Sequence, residues 1–173
     1  MTLDIRPAAA GDVDVVVDVL AEATAFVKSK GLAQWPAPFP REAILGFVAS
    51  GVLYVAEAGG EVIATITLQW SDPPFWGDRH DAGFVHRLAG RRSHPGVGRT
   101  LLAWAENRAV ERGRRFLCLD CLAADSRLRR YYEDLGFRLV TEVPGPPDHP
   151  HTTAHGPWLA ALYEKPLQAA PGA

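Results

Sequence analysis

A single mixed α/β domain is the fold this sequence predicts, and three observations predict it. The chain has 173 residues, the size of one domain. Its hydrophobic share is 47%, enough to close a sizeable core and too much for a disordered chain. Strand-like alternation gives way to helix-like periodicity and back, in the order strand, helix, helix, strand, strand, strand, helix, strand, helix, strand, strand. The domain is expected over residues 1–167, with 168–173 as a flexible tail.

Residues 3–8, LDIRPA, alternate as a short first strand. Asp12 stands where the following helix needs an N-cap, and Val13, Val16, Val17, Leu20 and Ala21 make its inward face. That helix fades near 28–31. In the stretch that follows, Pro36, Pro38 and Pro40 forbid regular structure. Trp35 and Phe39 lie on this stiffened loop, either tucked under the domain or walling a substrate pocket. Residues 41–49 make a second short helix. Gly59-Gly60 between two alternating apolar runs reads as a hairpin turn. The loop 71–81 carries Phe75 and Trp76 as a second candidate pocket wall. The strand FVHRLAG sets Phe84, His86 and Leu88 on one face and Val85, Arg87 and Ala89 on the other. In the next helix Val97, Leu101, Leu102, Ala105 and Ala109 face inward, and Gly113 stops it. The strand FLCLD follows, and Asp125 caps the last long helix, which Gly136 ends and against which Phe137 packs back. FRLVTEV and PWLAALYEKPL are the closing strands, joined by a long polar loop with His149, His151 and His155.

Composition excludes several function classes. A formal net charge of -2 gives no electrostatic case for nucleic acid or an acidic membrane surface. No apolar run is long enough for a transmembrane helix, and the first residues lack a signal peptide's apolar region, so a cytoplasmic address is expected. Cys118 and Cys121 form a C-x-x-C on a strand, where residues three apart face opposite ways. They are expected as buried structural thiols. The three late histidines lie among Pro, Thr and Gly without a cysteine at ligand spacing, so no metal is expected.

The chemistry concentrates in 84–137. An apolar strand feeds the turn RRSHPGVG and then a helix N-terminus, whose backbone N–H groups and dipole favour an anion. A phosphate-bearing ligand is therefore expected near Gly96, Val97, Gly98, Arg99 and Thr100. The P-loop pattern is absent, and the dinucleotide pattern fails because residue 101 is Leu.

These residues resemble the GNAT superfamily of acyl-CoA-dependent N-acetyltransferases. The family's phosphate turn runs Arg or Gln, two residues, Gly, one residue, Gly or Ala. Here Ser93-His94-Pro95-Gly96-Val97-Gly98 matches both glycine positions, with Ser in first place and Arg91, Arg92 and Arg99 nearby to supply charge. The family's Tyr, three residues, Gly-Phe is matched in full from Tyr132 to Phe137. Where the family often has Asn touching the pantetheine arm, this chain has Asp125. The resemblance implies a mostly antiparallel central sheet flanked by helices, with acetyl-CoA as co-substrate. It implies Leu88 and Ala89 as backbone partners of the pantetheine, and Ser93 with residues 96–100 around the pyrophosphate. It makes Tyr132 the acid for the leaving thiolate. His86 is the candidate base because it titrates near neutrality; Glu57 or a water relay are the other options. The acceptor implied is a small-molecule amine or a protein N-terminus, and the assembly implied is a homodimer. Two other readings stay open: a non-catalytic acyl-CoA-binding regulatory module, and an interaction domain that uses Trp35, Phe39, Phe75 and Trp76 as a surface patch.

Overall fold

The computed structural model describes residues 3–168. Apart from Gln168, the expected tail lies outside the described residues. The strands are β1 Asp4–Pro7, β2 Leu53–Ala58, β3 Glu61–Gln69, β4 Ala82–Gly90, β5 Phe116–Leu122, β6 Arg138–Pro144 and β7 Leu159–Pro166. They form one mixed, mostly antiparallel sheet in the order β1-β2-β3-β4-β5-β7-β6. The flanking helices are α1 Val13–Lys28, α2 Arg41–Ala49, α3 Pro73–Trp76, α4 Val97–Glu111, α5 Ser126–Asp134 and α6 Pro150–His155. All strands and long helices stand in the expected order. The two short helices α3 and α6 are additions inside stretches expected to be loops. Each carries proline in its first turn, where the missing N–H costs nothing. Among the described residues, no helix is long and apolar enough to cross a membrane.

The chain falls into two compact units whose boundaries run inside β3, β4 and α4. The first contains the described residues up to Leu68 together with His86–Leu101. Here β1, β2 and β3 pair antiparallel, and the β2–β3 turn uses positive φ at Gly59 (61°) and Gly60 (82°), which favours glycine at both positions. The core joins Val16, Val19 and Leu20 of α1 to Ile44 of α2 and to Leu53 and Val55 of β2. The inward stripe of α1 runs through Val13, Val16, Val19, Leu20, Thr24 and Val27, while Ala21 is exposed and Val17 half-buried. Thr24 belongs to it because its hydroxyl donates to the Leu20 carbonyl at 2.8 Å, which satisfies a buried polar group. Phe39 is 4% exposed and Trp35 packs on the same core, so the proline loop tucks its aromatics under the unit.

Asp12 does not cap α1. Residues Ala10–Asp12 form a tight 3-10 turn, so the helical backbone starts one turn early, and Asp12 reaches back instead of forward. Its carboxylate accepts from the Ala9 N–H at 2.7 Å and from the Arg6 guanidinium at 2.7 and 3.0 Å. Arg6 also donates to Glu57, which ties up the second candidate base. The Arg6 hydrogen bonds hold the Asp12 carboxyl below its ordinary value, against the opposing effect of burial. A depressed carboxyl stabilises the fold above its unfolded value and loses that contribution as pH falls through the folded one. Asp12→Asn should therefore cost about 1 kcal/mol at pH 7. The difference in melting temperature from the parent should begin to close as pH falls below the ordinary carboxylate value, about 4, and be gone once pH is below the depressed folded value. A constant difference down to pH 2 would contradict the ion-pair account.

The second unit contains Gln69–Val85 and the described residues from Leu102 on. β5 pairs antiparallel with β7 from Phe116↔Pro166 to Leu122↔Ala160, and β7 pairs with β6. β4 pairs parallel with β5 from Ala82↔Phe116 to Val85↔Leu119. Cys118 and Cys121 are free and buried on β5, and burial pushes both thiols up to about 12. α5 opens with Asp125, whose carboxylate accepts from the Leu128 N–H at 2.9 Å. It closes with Gly136 at φ 88°, while the Phe137 N–H returns to the Tyr132 carbonyl at 3.0 Å. That return brings the Phe137 ring to 5.9 Å from the Tyr132 ring, and this is the physical content of the Tyr-x-x-x-Gly-Phe pattern.

Candidate active site

The site is built up from the corner between β4 and α4, which lies in the first unit. The Arg91 N–H donates to the Ile63 carbonyl at 2.8 Å, so the chain stays bound to β3 as it leaves β4. The His94 N–H closes a turn on the Arg91 carbonyl at 3.0 Å. Gly96 then takes φ 89°, a conformation that favours glycine, and α4 begins at Val97. Ser93, Gly96, Arg99 and Thr100 are exposed, Gly98 is half-buried, and Val97 turns its side chain into the core. Arg91, Arg92 and Arg99 give the corner its positive charge.

The first-turn amides are less open than the sequence suggests. Those of Arg99 and Thr100 share the Gly96 carbonyl at 3.1 and 3.3 Å, and that of Val97 points to the His94 carbonyl at 3.4 Å. The Val97 and Arg99 bonds are of the 3-10 type and the Thr100 bond is the first α-helical one; those of Val97 and Thr100 are long.

Glu22 holds the corner from α1. Its carboxylate accepts from the Arg92 backbone N–H at 2.8 Å and from the Arg91 guanidinium at 3.3 Å. One turn on, Phe26 lies under the Arg92 guanidinium at 3.8 Å. The sequence reading missed both residues. The signal was an i, i+4 pair off the apolar stripe of α1, carrying a carboxylate and a ring instead of two solvated charges.

On β4, His86 is half-buried and directly follows Val85, the last β4 residue in register with β5. Ala89 is buried and Leu88 half-buried. Arg87 breaks the expected alternation. It has φ 49°, and its Nε donates to the Thr67 hydroxyl at 3.0 Å, while its guanidinium lies 3.8 Å from the centre of the Phe47 ring.

The remaining expected residues lie in the second unit. Tyr132 is 6% exposed, with Tyr131 at 5.5 Å and Tyr163 at 6.3 Å between ring centres. Burial raises its phenol well above the ordinary value, so it holds its proton throughout the neutral range. Asp125 is 3% exposed and spends one oxygen on the α5 cap, with Arg127 at 3.7 Å from the other. The late histidines form an aromatic cluster: Trp158 stands 4.7 Å from His151 and 5.2 Å from His149, and Phe75 stands 5.7 Å from His149. Gly145 leaves the space that the Trp158 indole fills. Trp76 packs against Phe84 at 6.1 Å. Of the four aromatics on the two loops, Phe39 is in the core and Trp35, Phe75 and Trp76 are half-buried.

Fold and corner can be set against known proteins. A family model described as acetyltransferase (GNAT) family matches residues 21–137, more than half of the chain. Among solved structures, a GNAT family acetyltransferase of Listeria monocytogenes 4b F2365 superposes with a TM-score of 0.73 at 21% identity, with 95% of each chain covered. A ribosomal-protein-alanine N-acetyltransferase of Brucella melitensis gives 0.70 at 22% identity, covering 95% of this chain and 99% of that one. The Salmonella typhimurium protein yncA, solved with its cofactor acetyl-CoA, gives 0.69 at 20% identity, covering 100% and 99%. At these identities the structural likeness is one of fold. No curated protein matches the chain. The matched stretch contains both the Gly96–Gly98 corner and the Tyr132–Phe137 helix end, and on that match the chain belongs to the acetyltransferase (GNAT) family.

Proposed function

We propose that the protein is an N-acetyltransferase that passes the acetyl group of acetyl-CoA to a primary amine by direct attack. The observation that carries this reading is the β4–α4 corner inside the family-matched stretch: an exposed, arginine-flanked turn, a glycine at φ 89° and a helix N-terminus in succession. Acetyl-CoA is the co-substrate and supplies the activated acetyl thioester. Ser93, Gly96, Val97, Gly98, Arg99 and Thr100 receive its pyrophosphate, the backbone of Leu88 and Ala89 receives the pantetheine, and Asp125 stands where the family often has the Asn that touches the pantetheine arm. His86 takes a proton from the attacking amine. As the new C–N bond forms and the C–S bond breaks, Tyr132 donates its proton to the departing sulfur. The acceptor is a small-molecule amine or a protein N-terminus, and the enzyme works as a cytoplasmic homodimer. A non-catalytic acyl-CoA-binding module shares the corner but has no use for a protonated Tyr132. A surface-patch role would have to work without Phe39, which is buried, and with Trp35, Phe75 and Trp76 half-buried.

Calorimetry with acetyl-CoA, alongside thermal melts, tests the reading. At about 100 times its dissociation constant the ligand should add about 2.7 kcal/mol of stability, and Gly98→Leu should remove most of the binding. No heat and no shift would set the acetyltransferase reading aside.

A further inference from the structure

We propose that Phe26 is the platform of a second phosphate subsite, in which Arg92 and Lys30 hold the ribose 3′-phosphate of coenzyme A; this rests on the acetyltransferase reading above. The first observation is a pairing of cations. The Arg92 guanidinium lies 3.8 Å from the centre of the Phe26 ring, and the Lys30 ammonium lies 5.5 Å from the centre of the same ring. Both residues are exposed. Among the described residues, no carboxylate takes either side chain. A ring that gathers two like charges, with no carboxylate to offset their repulsion, makes a place that an anion stabilises.

The second observation is why these charges stay open. Glu22, one turn before Phe26 on α1, is the carboxylate placed to neutralise Arg92. Its oxygens go elsewhere: one accepts from the Arg92 backbone N–H at 2.8 Å, the other from the Arg91 guanidinium at 3.3 Å. Arg91 also donates to the Val62 carbonyl at 3.4 Å, so its guanidinium is spent within the unit. Of this adjacent pair, Arg92 keeps its fork for a ligand. The bond from Glu22 fixes the Arg92 backbone, and the Lys30 N–H returns to the Val27 carbonyl at 3.0 Å, which fixes the other arm. Cations held in advance by ring and backbone lose less entropy on binding. The planar guanidinium suits two phosphate oxygens at once, and the ammonium adds a point charge.

The third observation is position. Arg92 directly precedes Ser93, where the stretch proposed to receive the pyrophosphate begins. That stretch offers backbone amides and a helix N-terminus, which suit the singly charged phosphates of a diester chain. The 3′-phosphate is a monoester with close to two negative charges at neutral pH, and it calls for side-chain cations. Arg92 and Lys30 supply them without competing for the amides.

The test measures dissociation constants by calorimetry for coenzyme A and for dephospho-coenzyme A, which lacks only the 3′-phosphate. The wild type should bind coenzyme A at least about tenfold more tightly. Arg92→Gln should remove most of that preference and Lys30→Gln part of it, and the double variant should bind the two ligands alike. Phe26→Leu, which keeps both charges and withdraws the ring, should weaken the preference. Added salt should narrow it in the wild type, because both cations are exposed. Equal affinity of the wild type for the two ligands overturns the proposal and leaves the acetyltransferase reading standing. So does a preference that survives in the double variant, or an Arg92→Gln protein that loses affinity for both ligands to the same extent. A wild type that binds neither ligand, nor acetyl-CoA, would instead bring down the acetyltransferase reading on which the proposal stands.

Discussion

Tyr132→Phe should bind acetyl-CoA as tightly as the wild type, melt within a few degrees of it, and transfer acetyl about a hundredfold more slowly, a change of about 2.7 kcal/mol in the barrier. The substitution removes one oxygen and leaves the ring that Phe137 and Tyr163 pack against. What disappears is the proton that burial fixes on this phenol: with its ionisation pushed well above the ordinary value, Tyr132 keeps its proton through the neutral range and is available for the proposed donation. The wild-type rate should accordingly show no alkaline limb from Tyr132 across the neutral range. Tyr132→Ala is the wrong variant for this purpose. It empties a site that is 6% exposed and should cost about 3–5 kcal/mol of stability, so a lost activity would say nothing about proton transfer. A Tyr132→Phe enzyme running at the wild-type rate would return this residue to a packing role and leave the leaving thiolate to be protonated by solvent.

Much of this architecture was legible because local chemistry and global fold agree. Gly59-Gly60, Gly113 and Gly136 punctuate where the chain turns, and all four take positive φ. The stripe from Val97 to Ala109 is buried as its spacing requires. The misreadings come from residues whose partners are distant or whose rule has two sides. Pro73 and Pro150 lie in stretches expected as loops, but at a first turn proline starts a helix. Asp12 has the chemistry of a cap, but a 3-10 turn ahead of α1 and the reach of Arg6 redirect it. Arg87 is ordinary in a strand pattern, and nothing local announces a left-handed backbone that Thr67 and Phe47, 20 and 40 positions away in sequence, help to hold. Glu22 lies 70 positions from the turn that it tethers. The proposed cofactor side of the site can be read from sequence because its chemistry is local: consecutive amides, glycines and a helix start. For the acceptor side no motif or spacing in the sequence names a residue.

Gly90→Ala should be the second large effect, and it acts through space instead of backbone freedom. Gly90 does not lie at positive φ, so alanine is conformationally admissible there. The obstacle is Val97, the first residue of α4: a Cβ on residue 90 would sit well inside 3.0 Å of its Cγ1, with the Ala64 methyl at 3.6 Å on another side. Valine in a helix has one strongly preferred rotamer, and this one is 9% exposed, so it cannot rotate out of the way. The first turn of α4 must move off β4, at a cost of about 1–3 kcal/mol. That turn carries the amides proposed to hold the pyrophosphate, so acetyl-CoA affinity should fall by at least about tenfold in the same variant. Gly96→Ala makes a useful contrast. It meets no atom within 4 Å, and any loss there comes from holding alanine at φ 89°. The decisive measurement is a double-mutant cycle. Val97→Ala alone should destabilise by deleting buried methyl groups, but combined with Gly90→Ala it makes room for the new Cβ, and the pair should be more stable and bind more tightly than the two single losses summed. Additive losses in both melting temperature and acetyl-CoA affinity would mean that the corner does not depend on this close approach, and that residue 90 affects the site by some route other than the position of α4.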